Sequence, residues 1–222
     1  MNDTNLSTFV SGLSDPNQIA LTFDDGPSVS FTPELLQLLR GYNVRATFFL
    51  IGGYVEAYPD LVRTIFLQGH AIGNHTYSHP RLPTAPDIQL ELVRCRDAIN
   101  TALAGIGRVG WLFRAPYGDV DARVLQAARR LGLKHVHWSL DPRDYTPDPD
   151  DPNKPLCADT IVTRAAEALD AKRMGEIVLL HDSWAPDEVQ RPHRVDRSQT
   201  LLAVQRLLAM YAGKREFVTP DF

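Results

Sequence analysis

The sequence predicts an α/β fold in which about seven parallel strands form a distorted (β/α) barrel with outer helices. Strand-like and helix-like segments alternate about seven times along the 222 residues, an order typical of parallel strands joined by crossover helices. No Gly-x-Gly-x-x-Gly pattern follows the first strand, so a barrel is favoured over an open dinucleotide-binding sheet. Barrels of this length commonly form one domain. We expect a single domain over 1–222, with its core at about 18–219 and an N-terminal extension at 1–17.

The predicted strands are short apolar runs bounded by turn residues. The first, at 19–23, places Ile19, Leu21 and Phe23 at alternate positions and is followed at once by the stretch 24–27, Asp-Asp-Gly-Pro. The remaining strands are predicted at 45–51, 70–76, 111–116, 134–140, 176–182 and 216–220.

The predicted helices carry apolar residues at helical spacing between these strands. They lie at 32–40, 59–69, 85–105, 121–132, 158–173 and 197–213. Thr32 is expected to cap the first helix, with Pro33 at its first position, and Gly69 and Gly105 are placed to end the next two. The Asp- and Pro-rich stretch 144–157 interrupts the alternation and predicts a long loop.

The composition argues against several classes of function. A net charge of −4 argues against nucleic-acid binding, which requires a basic surface. No apolar run approaches the roughly 20 residues that cross a bilayer, and the first residues lack the basic start and apolar core of a signal peptide. We therefore expect a cytoplasmic monomer with neither a nucleic-acid nor a membrane partner.

Chemically active side chains follow the predicted strands at the point where each strand ends. They are Asp24, Asp25, His75, His79, Arg114, Asp141, Asp144, His181 and Asp182. The carboxyl ends of the strands in a parallel α/β barrel face one common mouth. We therefore expect these side chains to gather there as an active site.

Two histidines and two aspartates of this set indicate a metal site. His75 and His79 are four residues apart, so on one helical turn both imidazoles can reach the same divalent ion. Two histidines and one carboxylate form a known type of catalytic metal site. One of Asp24 and Asp25 can bind the ion while the other acts as a base toward water, and the ion relieves their repulsion. Arg114 is a fixed cation suited to holding a carboxylate in place.

Several of these residues also have plainer interpretations. Taken alone, the stretch 24–27 is an ordinary surface turn, and a histidine pair can arise by chance. His181 is suited to proton transfer or to a structural role in the core. We interpret His135 and His137 as structural residues of a strand. His193 lies in the basic loop 190–197 and is interpreted as a solvated surface residue, with the alternative that this loop reaches a polar substrate.

Five motifs occur in a fixed order along the chain. They are TFDDGP (22–27), HTYSH (75–79), RAPY (114–117), WSLDPRDY (138–145) and IVLLHD (177–182). Together they resemble the five motifs of the NodB-homology polysaccharide deacetylases, carbohydrate esterase family 4, over about residues 18–219, with the greatest likeness to the chitooligosaccharide deacetylases. One departure is Asp144-Tyr145, where the family commonly has Asp-Trp.

The resemblance implies the NodB-homology fold and an active site that contains one divalent metal ion. Asp25, His75 and His79 match the metal ligands of the family. Asp24 matches the catalytic base, and Arg114 matches the arginine that positions the base. The metal implied is zinc, with cobalt, manganese or nickel compatible with the same ligands.

The resemblance also implies the remaining parts of an acetamide hydrolase. His181 matches the catalytic acid, and Asp144 matches the carboxylate that orients it. The implied substrate-binding residues are Tyr117, through its backbone N–H as oxyanion donor, Leu179 beside the acetyl methyl, Trp138 and Tyr145.

The predicted activity is metal-dependent hydrolysis of an N-acetyl group from an amino sugar with release of acetate. The expected substrate is a short N-acetylglucosamine oligomer. The alternative within the same chemistry is another acetylated glycan or a small acetamido metabolite. An alternative of a different class is a non-catalytic carbohydrate-binding domain, but such a domain would be expected to lose at least one active-site residue.

Overall fold

The computed structural model describes residues 9–171, 173–184 and 196–220. The strands are β1 Phe9–Val10, β2 Gln18–Asp24, β3 Thr47–Leu50, β4 Ala71–Asn74, β5 Leu112–Phe113, β6 Lys134–Val136, β7 Glu176–His181 and β8 Glu216–Phe217. The helices are α1 Thr32–Gly41, α2 Gly52–Ala57, α3 Pro59–Leu67, α4 Ile88–Ala102, α5 Ala122–Arg130, α6 Ala158–Ala171 and α7 Ser198–Tyr211. His193, which we predicted to be a surface residue, lies outside the described residues.

The strands form one curled parallel sheet. Their order is β1-β6-β5-β4-β3-β2-β7, and β8 pairs with the start of β2. Just past β6, Leu140 makes a parallel bridge with Val178 of β7, so the sheet curls back toward its own far edge. The predicted class, a distorted barrel of parallel strands with outer helices, is confirmed.

The two faces of β2 show how the barrel is filled. Ile19, Leu21 and Phe23 pack in the large core between the sheet and the helices. Ala20 belongs to a smaller cluster on the inner side of the sheet, and Thr22 is also fully buried. Both faces are covered, as is typical of parallel sheets. Since side chains alternate along a strand, Asp24 ends β2 on the same side as Ala20 and Thr22.

The sheet begins before the predicted core boundary at residue 18. Phe9 and Val10 pair with β6, and Leu13 is buried and exchanges backbone hydrogen bonds with Gly175 at 2.9 and 3.1 Å. Part of the segment 1–17, predicted to be an extension, therefore belongs to the sheet. A strand of two residues is too short to show the alternation on which strand prediction depends.

The start of α1 differs from its prediction. Phe31, not Thr32, occupies the cap position. The Thr32 hydroxyl instead accepts a hydrogen bond from the N–H of Ser28 at 2.8 Å and donates one to the buried carboxylate of Asp182. Thr32 thus ties the turn after β2 to the residue that follows β7.

The Asp- and Pro-rich stretch 144–157 forms a loop, as predicted, and a bridge between Pro147 and Pro155 closes it. Within the described residues, no helix has the length and apolar character needed to cross a membrane.

Candidate active site

The carboxyl ends of the strands surround a cleft of about 280 Å³. Its walls are formed by Asp24, Asp25, His75, His79, Tyr117, Trp138, Tyr145, Leu179, His181, Trp184 and Arg197. Nine of these residues were predicted from the sequence, and two further predicted residues, Arg114 and Asp144, contact the lining residues from behind. Asp141 and Asp182 also follow strands, but neither is among the residues that line the cleft.

Three side chains in the cleft form a potential metal site. The Oδ1 atom of Asp25 lies 3.4 Å from His75 Nε2 and 3.1 Å from His79 Nε2, and one ligand atom from each residue lies within 4.8 Å of the other two. One carboxylate oxygen and two imidazole nitrogens are donors that divalent transition metals accept. The chemistry of this donor set therefore fits the ion that the resemblance implies.

The charge state of Asp25 suits metal binding. Burial raises its pKa, but hydrogen bonds from His75 and His79 outweigh burial and hold the pKa well below its usual value. Asp25 is therefore a carboxylate at neutral pH.

The segment 75–79, here called the metal loop, is not helical, so the predicted helical turn is wrong. Thr76 and His79 have φ values of 68° and 59°, which fold the segment back on itself. The N–H of His79 donates to the Thr76 hydroxyl at 3.1 Å. His75 Nδ1 lies 2.9 Å from the carbonyl oxygen of Arg114, which leaves Nε2 directed toward Asp25. The two imidazoles still converge, but through a loop that turns back.

The backbone at Asp25 explains how two adjacent aspartates serve one cleft. Neighbouring residues of a continuous strand would point to opposite faces. Asp25 instead has a φ of 73°, so the strand ends at Asp24 and the chain turns. Asp24 Oδ2 lies 3.8 Å from His75 Nε2, and its Oδ1 accepts a hydrogen bond of 2.8 Å from Arg114.

Arg114 is a fully buried cation that holds Asp24 in place. Its guanidinium also donates to Thr22 Oγ1 at 2.7 Å and to the carbonyl oxygens of Val136 at 2.9 Å and His137 at 3.2 Å. Burial lowers the pKa of Arg114, and the charge of Asp24 opposes this effect. A planar donor with several fixed hydrogen bonds gives the carboxylate little freedom to rotate.

The position of Arg114 depends on a close approach between two strands. Its guanidinium lies 4.2 Å from the centre of the Phe49 ring, and Phe49 pairs with Gly73 of β4. A Cβ atom at Gly73 would stand 2.4 Å from that ring. The absence of a side chain at Gly73 therefore makes room for the ring that supports Arg114.

We expect Gly73→Ala to lower the free energy of unfolding by about 1–3 kcal/mol, because the added methyl overpacks a buried ring. Turnover should fall as well, since Phe49 supports Arg114 and Arg114 holds Asp24. Urea unfolding measures the stability. Gly41→Ala is the matched control, because a Cβ there meets nothing within 4 Å. A Gly73 variant as stable as the Gly41 variant would contradict this packing argument.

His181 and Asp144 form a second charged pair in the cleft. His181 Nδ1 lies 2.8 Å from Asp144 Oδ1. The other oxygen of Asp144 accepts hydrogen bonds from the His181 N–H at 2.9 Å and the Thr200 hydroxyl at 3.0 Å. Burial lowers the pKa of His181, but the charge and hydrogen bond of Asp144 outweigh burial and raise it above its usual value. Burial raises the pKa of Asp144, but the charge and hydrogen bond of His181 outweigh burial and lower it. The pair favours a protonated imidazole.

Aromatic and apolar side chains form the rest of the cleft. The Tyr145 ring stands edge-on to His181 with centroids 5.2 Å apart, and its hydroxyl donates to Asp141 at 3.1 Å. Tyr117 has a φ of 60° and is about half exposed, at 54%. Trp138 also lines the cleft, and Leu179 is buried at its base. These flat, partly exposed rings provide surfaces on which a sugar ring can stack.

His135 and His137 lie beside the cleft without lining it. His135 is fully buried against the Phe113 ring, and burial lowers its pKa to about 3, so it is neutral. His137 stacks on Trp138 with ring centroids 4.0 Å apart. Their packing supports the interpretation that both are structural.

The sequence analysis missed two lining residues, Trp184 and Arg197. Arg197 donates to the carbonyl oxygens of Ser183 at 2.9 Å and Asp144 at 3.3 Å, and its guanidinium lies 5.2 Å from the centre of the Trp184 ring. Trp184 could have been found as an aromatic residue shortly after His181. Arg197 ends the basic stretch 190–197, but the composition of that stretch gave no indication of which residue would reach the cleft.

The comparisons with known proteins agree with this geometry. A family model described as polysaccharide deacetylase matches residues 12–136. The chain is 38% identical over 194 residues to a chitooligosaccharide deacetylase of Sinorhizobium fredii, covering 86% of this chain and 83% of that protein. It is 36% identical over 198 residues to a peptidoglycan-N-acetylglucosamine deacetylase of Bacillus cereus, covering 86% and 79%. The solved chitin deacetylase of Colletotrichum lindemuthianum matches with a TM-score of 0.74 and 30% identity, covering 96% and 89%.

Proposed function

Because the chain belongs to the polysaccharide deacetylase family, we propose that it hydrolyses the N-acetyl group of a short chitin oligosaccharide. Water cleaves the amide bond, acetate is released and the sugar keeps a free amine. The observation that carries this proposal is the convergence of two pairs and one triad in one cleft. The pairs are Asp24 with Arg114 and His181 with Asp144, and the triad is Asp25 with His75 and His79.

The metal site of the proposal consists of Asp25, His75 and His79. A divalent ion bound there would supply Lewis acidity, which polarises the amide carbonyl and lowers the pKa of water. Zinc fits two histidines and a carboxylate, and cobalt, manganese and nickel accept the same donors. Elemental analysis of the purified protein identifies the ion.

Asp24 is the proposed general base. Arg114 holds its Oδ1 atom at 2.8 Å, while its Oδ2 atom lies beside the metal ligands, 3.8 Å from His75 Nε2. A carboxylate with one oxygen fixed and the other facing the reaction site is suited to take a proton from water as it attacks the amide carbon.

His181 is the proposed general acid. Asp144 accepts from Nδ1, which fixes the ring and leaves Nε2 to donate a proton to the departing nitrogen. This donation is required because an amine cannot leave as an anion. The raised pKa of His181 keeps the donor protonated to a higher pH than that of an ordinary histidine.

The acetyl group is held by two further residues in the proposal. The backbone N–H of Tyr117 donates to the oxygen on which negative charge develops, a contact of a type worth about 3–4 kcal/mol in the transition state. Leu179 provides an apolar contact for the methyl group. Both residues line the same cleft as Asp24 and His181.

The proposed sugar-binding residues are Trp138, Tyr145 and Trp184. All three line the cleft, and aromatic faces are suited to the apolar faces of sugars. A chitin oligosaccharide is favoured by the 38% identity to a protein named chitooligosaccharide deacetylase. The enzyme is proposed to act as a monomer.

Substrate competition tests this function. We expect soluble N-acetylglucosamine oligomers of a few units to be deacetylated faster than insoluble chitin or peptidoglycan, because a short soluble chain diffuses freely into the cleft of about 280 Å³, whereas chains packed in an insoluble polymer are less accessible. Acetate release and mass spectrometry of the products measure this.

Two results would contradict the proposal. Faster release of acetate from peptidoglycan would instead favour the activity for which the Bacillus cereus relative is named. Sugar binding without acetate release from any acetylated glycan, by protein that contains metal, would favour a non-catalytic carbohydrate-binding domain.

A further inference from the structure

The metal loop, residues 75–79, has a conformation that requires support. It carries two of the three potential metal ligands and lies between β4 and α4, outside any helix or strand. Two of its residues, Thr76 and His79, have positive φ values although neither is glycine. Such backbone conformations persist only when the surrounding structure holds them.

One carboxylate supports the loop from the α4 side. Glu91 Oε2 accepts hydrogen bonds from the backbone N–H groups of Tyr77 at 2.9 Å and Ser78 at 2.8 Å. Its Oε1 accepts a third from the Ser78 hydroxyl at 2.7 Å. Hydrogen bonds to an ionised acceptor are stronger than those between neutral groups.

The opposite side of the loop is held by the start of α2. The N–H groups of Gly52 and Gly53 donate to the carbonyl oxygens of Thr76 at 2.9 Å and Tyr77 at 3.0 Å. A Cβ atom at Gly52 would stand 2.8 Å from the Tyr77 ring, so α2 and the loop are in direct contact. Two backbone donors of the loop thus face Glu91, and two of its backbone acceptors face α2.

We infer that Glu91 is a positioning residue for the metal site: its carboxylate holds the loop so that His75 and His79 face Asp25 before the ion binds. This inference rests on the proposed function, because it takes residues 25, 75 and 79 as the metal ligands. Glu91 lines no part of the cleft and acts through the loop backbone. Residues that orient metal ligands from outside commonly change metal affinity when they are replaced.

Glu91→Gln is the test, because the amide keeps the size of the side chain. Its oxygen can accept from both N–H groups while its nitrogen faces the Ser78 hydroxyl, so the variant keeps the shape of the contact but loses the charge that strengthens these hydrogen bonds. We expect the affinity of the metal-free protein for Zn²⁺, measured by competition with a chelator, to fall about 10–100-fold. The visible spectrum of the Co²⁺ complex should change as well. Glu91→Asp keeps the charge but is too short to make all three hydrogen bonds, so its affinity should fall less than that of Glu91→Gln but stay below the wild-type value.

Two control variants separate positioning from general stability. Glu56 accepts a hydrogen bond from the Tyr77 hydroxyl at 2.8 Å. It therefore contacts a side chain of the metal loop but not the loop backbone. Asp87 caps α4, and its carboxylate accepts from the Leu90 N–H at 2.9 Å. Glu56→Gln and Asp87→Ala should both keep the wild-type affinity for Zn²⁺, while Asp87→Ala alone should lower the melting temperature.

The outcomes distinguish this inference from the proposed function. Wild-type affinity in Glu91→Gln, or an equal loss in Asp87→Ala, would overturn the positioning role of Glu91 and leave the metal site standing. If Glu91→Gln fails to fold, Glu91→Asp decides, and wild-type affinity in that variant overturns the inference. A wild-type protein that binds no divalent ion would overturn the inference and the proposed metal site together.

Discussion

Asp24→Asn is expected to leave metal binding unchanged and to slow the release of acetate roughly 10²–10⁴-fold, the usual contribution of a general base. Asparagine keeps an oxygen that can accept the hydrogen bond from Arg114, so the buried cation keeps a partner. It cannot take a proton from water, however. Elemental analysis and acetate release from an N-acetylglucosamine oligomer measure the two quantities on the same preparation.

The neighbouring residue provides a matched control for this prediction. Asp25→Asn removes the same charge from the next position, but Asp25 contacts both imidazoles of the potential metal site. We expect this variant, like His79→Ala, to lose bound metal and activity together. Near-normal turnover in Asp24→Asn would show that the base lies elsewhere, and loss of metal in that variant would show that the two aspartates share one role.

The place of the active site could be predicted because it depends on local pattern and simple topology. Each strand is an apolar run, and parallel strands bring their carboxyl ends to one mouth. Asp24, Arg114 and His181 each follow such a run, so placing the strands correctly was sufficient to bring them together. Strand placement alone does not pair them, because hydrogen-bond partners in a barrel come from distant strands, and the pairing of Asp24 with Arg114 was implied only by the family resemblance.

The local structure of the proposed metal ligands could not be predicted from their spacing. His79 comes four positions after His75 whether the segment is a helical turn or a loop that folds back. The positive φ values of Thr76 and His79 are unusual for residues other than glycine, so the sequence carries no sign of them. They are stabilised by α2 and by Glu91, which are tertiary contacts.

Two residues missed by the sequence analysis, Arg197 and Glu91, likewise depend on tertiary contacts. Arg197 contacts the carbonyl oxygen of Asp144, 53 positions earlier in the chain, and Glu91 contacts a backbone N–H 14 positions away. Neither stands beside a motif or shows a periodicity that marks a site. A side chain that acts through the backbone of another element can be found only when both elements have been placed.

His181→Ala is expected to slow hydrolysis of the acetamide roughly 10²–10⁴-fold but to have a much smaller effect on an activated aryl acetate. An amino sugar leaves only when its nitrogen receives a proton, whereas a phenolate leaves without one. Asp24→Ala is the control, because both reactions need the base, and it should slow the two comparably. Equal losses on both substrates in the His181 variant, with metal content unchanged, would assign His181 to substrate binding or to orienting water.

The same assignment predicts the pH dependence of the wild-type enzyme. Asp144 raises the pKa of His181 above 6.5, so the protonated donor persists to a higher pH than that of a free histidine and is lost as the pH rises through the raised pKa. The rate on the amide should therefore fall on the alkaline side, and the rate on the aryl ester should fall less. Asp144→Asn removes the charge that raises the pKa, so the alkaline limb should move to lower pH in that variant. A limb that stays in place would mean that another group supplies the proton, because only a donor coupled to Asp144 responds to its charge.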